Sequence, residues 1–211
     1  MVTTEELKNV LNNNLIYKKM KNTIIILMLV LVTSCKAQIY PLNTSPSEIP
    51  SNAYIKDIDG ELDKYVGLWK GNWNGKTVYL ELRKIKTYPI IPGDTHPYYK
   101  DRIYGERKVI SQNGQLEIDR ISNFDDIHPE FSGVSNAPGT LDQKRISFYP
   151  KNMCGLGAEL NIANITSTTI TLHMVAIGSG RKTPNCIHDS YVQQHGEYPW
   201  NFPKDITLIK Q

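Results

Sequence analysis

Gly67-Leu68-Trp69-Lys70-Gly71-Asn72-Trp73-Asn74-Gly75-Lys76-Thr77-Val78-Tyr79-Leu80-Glu81-Leu82-Arg83 is the stretch on which the reading of this chain turns. Its second half alternates. Val78, Leu80 and Leu82 fall on one face of an extended chain, and Tyr79, Glu81 and Arg83 fall on the other. Successive side chains of a strand point to opposite faces, so the pattern describes a strand with one buried side and one wet side. Asn74-Gly75 separates this run from the one before it. The tightest hairpin turn needs positive φ at both central residues, which asparagine and glycine tolerate best. Residues 66–73 and 76–87 are therefore expected to form an antiparallel hairpin.

The same pattern continues downstream. Residues 102–110 form a third strand candidate, Asn113-Gly114 is another tight-turn signal, and 115–121 aligns Leu116 with Ile118. Residues 145–149 place Ile146 and Phe148 on one face, and 157–165 aligns Ala158, Leu160 and Ile162. Residues 168–177 align Ile170, Leu172, Met174 and Ala176, and 205–209 supplies the last strand. Long polar loops are expected at about 123–142 and 178–203, and no helix beyond single turns, one of them at 59–66. Seven to nine short strands joined by tight turns predict an all-β domain. The expected architecture is an antiparallel up-and-down β-barrel, with a β-sandwich as the alternative. A closed barrel has no exposed edges on which chains can aggregate. Twelve tyrosines and twelve prolines suit strands and ordered loops better than helices.

The N-terminal segment follows another logic. Lys18, Lys19 and Lys21 precede a nine-residue apolar run at 24–32, and Val32-Thr33-Ser34-Cys35 follows. A membrane-spanning helix needs about 20 apolar residues, whereas roughly 10–14 suits the core of an export signal. Val-Thr-Ser-Cys resembles the lipobox of bacterial lipoproteins. That resemblance implies cleavage before Cys35 and attachment of lipid to its sulfur. Several acyl chains hold a protein in a membrane where one binds only marginally. Lys36 stands where an aspartate would signal inner-membrane retention, so the expected location is the cell outer membrane. The domains expected are a signal peptide at 1–34, lipidated Cys35 with a flexible tether at 35–58, and one β-barrel domain at 59–211. Residues 1–19 are expected to be an over-extended start, because Met20-Lys21 opens a better signal.

Charge narrows the partners. Removing 1–34 leaves 20 basic against 19 acidic residues, a net of about +1, which gives no electrostatic case for nucleic acid. With Cys35 lipidated, Cys154 and Cys186 remain and are expected to pair in an oxidising compartment, clasping the open ends of a hairpin.

Gly67-Leu68-Trp69, at the start of the first strand, resembles the Gly-x-Trp element of lipocalins, in which the Trp packs across the closed end of an eight-stranded barrel. The resemblance implies that role for Gly67 and Trp69. The whole chain resembles small, uncharacterised lipoprotein families of Bacteroidota-type bacteria, through its Cys-Lys-Ala-Gln opening and its Tyr-Val-Gly-x-Trp-Lys-Gly domain start.

Candidate chemistry gathers in the two loops. Asp125, Asp126, His128 and Glu130 occupy the first, and His188, Asp189, His195 and Glu197 the second. Neither set has metal-ligand spacing, so no metal and no cofactor are expected; both read as structural, with Asp125-Asp126 and His128-Pro129 as a solvated turn. No serine stands in a nucleophile turn, and no glycine-rich loop precedes a helix. Tyr98, Tyr99, Tyr104, Tyr191, Tyr198 and Trp200 are the candidates for contact with a small apolar ligand at a barrel mouth. The expected function is non-enzymatic binding of such a ligand. The alternatives are a surface protein- or glycan-contact module with a filled core and, third, a hydrolase.

Overall fold

The computed structural model describes residues 17–23, 38–88, 96–136, 143–179 and 182–211. Two units divide the chain, Met1–Ile39 and Tyr40–Gln211. In the first, residues 17–23 are helical, and Thr23 Oγ1 donates to the Lys19 carbonyl. Among the described residues no helix is long and apolar enough to cross a membrane. The expected signal core and Cys35 lie outside the described residues.

The strands are β1 (Ile39–Pro41), β2 (Tyr54–Lys56), β3 (Gly67–Trp73), β4 (Lys76–Thr87), β5 (Tyr99–Ile110), β6 (Leu116–Asp119), β7 (Phe131–Asn136), β8 (Lys144–Phe148), β9 (Gly157–Ile165), β10 (Thr169–Ser179) and β11 (Asp205–Lys210). One helix, α1 (Asp189–His195), lies between β10 and β11. Eight strands close into a barrel in the order β3-β4-β5-β7-β8-β9-β10-β11, each antiparallel to its neighbours. Lys210 opposite Trp69 closes the ring on one side, and Gly105 opposite Phe131 closes it on the other. This is the up-and-down barrel the sequence predicts. The sandwich does not occur, because β11 bonds β3 and leaves one continuous sheet.

The hairpin at the opening stretch has the expected register, from Gly67 opposite Leu82 to Trp73 opposite Lys76. Asn74 and Gly75 take φ of 48° and 78°, the values its turn demands. Val78, Leu80 and Leu82 point inward and are buried, as are Ile170, Leu172 and Met174 on β10. Trp69 is buried at the start of β3, and its Nε1 donates to the Tyr65 carbonyl at 2.9 Å. Phe131, Phe148 and Phe202 pack ring against ring, 4.5–5.3 Å between centroids, inside the same cluster. Gly105 is what lets β7 meet β5. A Cβ there would sit 2.5 Å from Leu82 Cδ2 and 3.0 Å from Phe131 Cβ.

Three expectations need correction. Residues 123–142 contain β7, which the sequence hides because a register shift between Ser132 and Ser135 breaks its alternation. Residues 178–203 contain α1, whose seven residues make about two turns, bury no side chain and so carry no apolar stripe. The tether expected at 35–58 is part of the domain from β1 onward. Ile49, Ala53, Ile55 and Tyr98 form a second buried cluster, and β2 pairs in parallel with β5 at Tyr99 and Lys100. Cys154, ahead of β9, and Cys186, beyond β10, are bonded, with Cα atoms 5.6 Å apart. Closing that 32-residue separation stabilises the fold by about 3–4 kcal/mol in the chain-entropy picture.

Candidate functional site

Strand β5 has twelve residues, and its free edge is shared among three partners. β2 takes Tyr99 and Lys100, β7 takes Tyr104 and Gly105, and β6 takes residues 108–110. Beyond Ser132 the chain of β7 swings to β8, with Gly133 at φ 70° and Ser135 opposite Arg145. The two strands therefore part, and a cleft of about 490 Å³ opens between residues 100–103 and 133–136. That volume lies within the range of small-molecule sites, about 300–1,000 Å³.

The turn at 57–66 shapes one wall. Asp57 is buried, and its carboxylate accepts from the amides of Glu61 and Leu62 at 2.8 and 3.0 Å and from Lys84 Nζ at 3.1 Å. Burial opposes the charge, but the Leu62 amide, Lys84 and the Glu61 amide outweigh it and hold the carboxyl below its ordinary range. The turn so fixed drives Leu62 and Tyr65 into the core, where with Ile103 they floor the cleft; Leu42 and Val134 add apolar sides.

The rim is charged. Lys64, Lys100, Arg102 and Lys144 line it, against the carboxylates of Glu61 and Asp101. Asp101 is committed elsewhere. Its Oδ1 accepts from the Tyr54 hydroxyl at 2.5 Å and its Oδ2 from the Asp57 amide at 2.9 Å. Burial, then that hydrogen bond, push the Tyr54 hydroxyl up to about 12. Lys144 Nζ donates to Asn136 Oδ1 at 2.6 Å, and Lys64 Nζ lies 5.2 Å from the Tyr65 ring centroid. Arg102 Nε is buried without a hydrogen-bond partner among the described residues. Among the described residues neither Lys100 nor Arg102 enters an ion pair. Burial, followed by the charge of Arg102, pushes the Lys100 ammonium below its ordinary value. An apolar floor under uncompensated cations suits a small molecule with an apolar body.

A second cavity, about 320 Å³, lies between residues 119–126 and Lys151. Three of its charged residues are already paired. Asp125 pairs with Lys151 at 2.7 Å and Asp119 with Lys108 at 3.0 Å. The Lys151 hydrogen bond and then the His128 amide hold the Asp125 carboxyl well below the carboxylate range.

The six aromatic candidates are not brought together. Tyr98 is buried in the second cluster, and Tyr99 packs on Tyr88 at 4.8 Å. Tyr104 is half-buried on the outer face of β5. Tyr191 stacks on His195 in α1, Tyr198 precedes Trp200, and Trp200 packs against the core. None of the six lines the cleft. The acidic and histidine sets also disperse. Asp125 Oδ1 accepts from the amides of Ile127 and His128, the solvated turn expected of it. Glu130 is buried and bonded to Arg107 at 2.7 Å. His188 Nε2 contacts the Asn152 carbonyl, Asp189 pairs with Lys182, and Glu197 lies 3.7 Å from Lys204. No three His, Cys, Asp or Glu side chains among the described residues stand close enough to share a metal ion.

The sequence did carry a trace of the cleft. Lys100 and Arg102 stand two apart on a strand, hence on one face. What it lacked was the divergence of β7, which depends on a strand not visible in the pattern.

Residues 20–211 match a family described as a family of unknown function, DUF6705. No curated protein and no solved structure gives a significant match.

Proposed function

The chain belongs to that family of unknown function, and from this premise we propose that it is a non-enzymatic binding protein of the cell envelope, anchored by lipid on Cys35 and taking a small apolar ligand in the cleft between β5 and β7. The observation that carries the reading is the cleft itself, about 490 Å³, floored by Leu62, Tyr65 and Ile103. The barrel interior is occupied by a continuous apolar cluster around Trp69, Phe131, Phe148 and Phe202, so the opening lies beside the core rather than within it. Support for the anchor comes from the sequence: basic residues, a short apolar run, and Val32-Thr33-Ser34-Cys35. The outer membrane is the location that Lys36 after Cys35 favours, and residues 1–34 are the part removed. The Cys154–Cys186 bond fits an oxidising compartment. A glycan- or protein-contact surface built on the aromatic loops draws less support, because Tyr98 is buried in the second cluster, Tyr99 packs on Tyr88, and Trp200 packs against the main core. A hydrolase draws less still, since its histidines and carboxylates do not converge.

Mass spectrometry of the protein extracted from its host's membranes tests both halves. A denatured chain that lacks residues 1–34 and carries diacylglycerol on Cys35 is the expected result for the anchor; an unmodified thiol would remove it. Under native conditions a reproducible extra mass, lost on denaturation, is expected for the carrier. A bare protein in every preparation would contradict it.

A further inference from the structure

We infer that the ligand of the β5–β7 cleft is a small amphiphile with an anionic head, the head held by Lys100, Arg102 and Lys144 and the apolar body laid against Leu62, Tyr65 and Ile103. The inference rests on the cleft being a binding site and adds the charge of what it binds.

Four cations line the cleft against two carboxylates, Glu61 and Asp101. Asp101 has both oxygens filled by Tyr54 and the Asp57 amide, so it offers little to the cations beside it. Glu61 sits on the exposed turn at the rim. A buried guanidinium nitrogen without a partner is costly, because it has given up water and gained nothing. Arg102 Nε is in that position among the described residues. Lys100, on the same face of the strand, adds a second charge, and burial first and then the charge of Arg102 hold its ammonium below its ordinary value. Two like charges held together in a partly apolar cleft are a standing cost to the empty protein. An anion removes that cost, since charge-assisted bonds from guanidinium and ammonium to carboxylate or phosphate are about twice as strong as neutral ones. The planar fork of Arg102 matches a carboxylate or phosphate in two-point contact, and Lys100 and Lys144 act as point charges beside it. The floor explains why the anion needs a body: Leu62, Tyr65 and Ile103 offer apolar surface that inorganic phosphate alone would leave wet.

The test uses the membrane-extracted protein returned to neutral phosphatidylcholine nanodiscs, with empty discs subtracted, and calorimetric titration of four probes. Octanoate and octyl phosphate are expected to bind at least tenfold more tightly than octanol and than inorganic phosphate. Lys100→Gln and Arg102→Gln are each expected to weaken octanoate about tenfold and to leave octanol unchanged. Should Arg102→Gln fail to fold, Lys100→Gln and Lys144→Gln carry the same comparison. Octanol binding as tightly as octanoate would overturn the anionic head and leave an apolar carrier standing. Inorganic phosphate binding as tightly as octyl phosphate would overturn the amphiphile. If no probe binds, the binding role of the cleft falls together with this inference.

Discussion

Arg102 and Arg107 stand on one strand, β5, on opposite faces, and meet opposite fates. Arg107 is fully buried inside the barrel, yet its guanidinium is answered on every side. Nε bonds Glu130 at 2.7 Å, a terminal nitrogen bonds the Asn201 carbonyl, and the group lies 5.0 Å from the Phe148 ring centroid. Arg102 lines a cleft with its Nε buried and unanswered. The difference separates charge that holds the fold from charge that waits for something. Where the chain has sealed an arginine into the core, it has supplied a carboxylate, a carbonyl and an aromatic face, because a buried charge without partners is intolerable. Among the described residues the buried carboxylate lining the cleft, Asp101, is turned to Tyr54 and the Asp57 amide instead.

The largest effect is expected from breaking the sealed pair. Arg107→Ala leaves Glu130 buried and uncompensated, and urea unfolding should show a loss of about 3–5 kcal/mol. Replacing both partners, Arg107→Met with Glu130→Leu, should recover most of that loss, because apolar side chains of similar volume remove the stranded charge. An equal loss in single and double variants would show that the pair's contribution is packing rather than charge.

Glu106 sharpens the comparison next. It is the neighbour of Arg107 in sequence, fully buried on the outer face of β5, and neither oxygen has a hydrogen-bond partner among the described residues. Burial first, then the charge of Glu130, raise its carboxyl from 4.5 to about 7. The folded protein then holds a proton that the unfolded chain has released. Stability from this group is complete below about 4.5 and is lost as pH rises towards about 7. Glu106→Gln should abolish that slope. The variant's stability relative to wild type should rise by up to about 3 kcal/mol between pH 4 and pH 8, read from urea midpoints. A difference that stays constant over this range would place the ionised carboxylate in the fold.

Gly105→Ala tests the contact that closes the ring beside these charges. The added methyl would clash with the Leu82 side chain at 2.5 Å and press on Phe131 at 3.0 Å, so Leu82 must repack, at about 1–3 kcal/mol, measured as a lower unfolding midpoint. The smallest stability effect belongs to Arg102→Gln. Its side chain enters no ion pair among the described residues, so the unfolding midpoint should move by no more than about 0.5 kcal/mol, or rise. A loss as large as that of Arg107→Ala would mean that Arg102 is structural after all.

These two arginines also mark how far the sequence could be read. Alternation made β4 and β10 legible, and Asn74-Gly75 set the first hairpin, so the barrel followed from local rules. The disulfide followed once Cys35 was set aside. Glu130 was placed in a polar loop because nothing local reveals that Arg107 lies opposite it. Beyond the trace left by Lys100 and Arg102, the cleft was hidden for a similar reason. It needs the bulge of β7 at Gly133, the parallel pairing of β2 with β5, and the turn fixed by Asp57, all of them contacts between distant residues. The aromatic residues were legible by type but not by place, since tyrosine serves cores, clusters and surfaces alike.

The most direct measurement is amide chemical-shift mapping of the isotope-labelled protein as octanoate is added. Binding in the cleft predicts saturable shifts confined to residues 61–65, 99–103 and 133–136, with Arg102 Nε–H among the largest. Shifts concentrated at 188–200 would move binding to the aromatic loop, and shifts at Phe131, Phe148 and Trp69 would place the ligand in the barrel core, contradicting the cleft in either case.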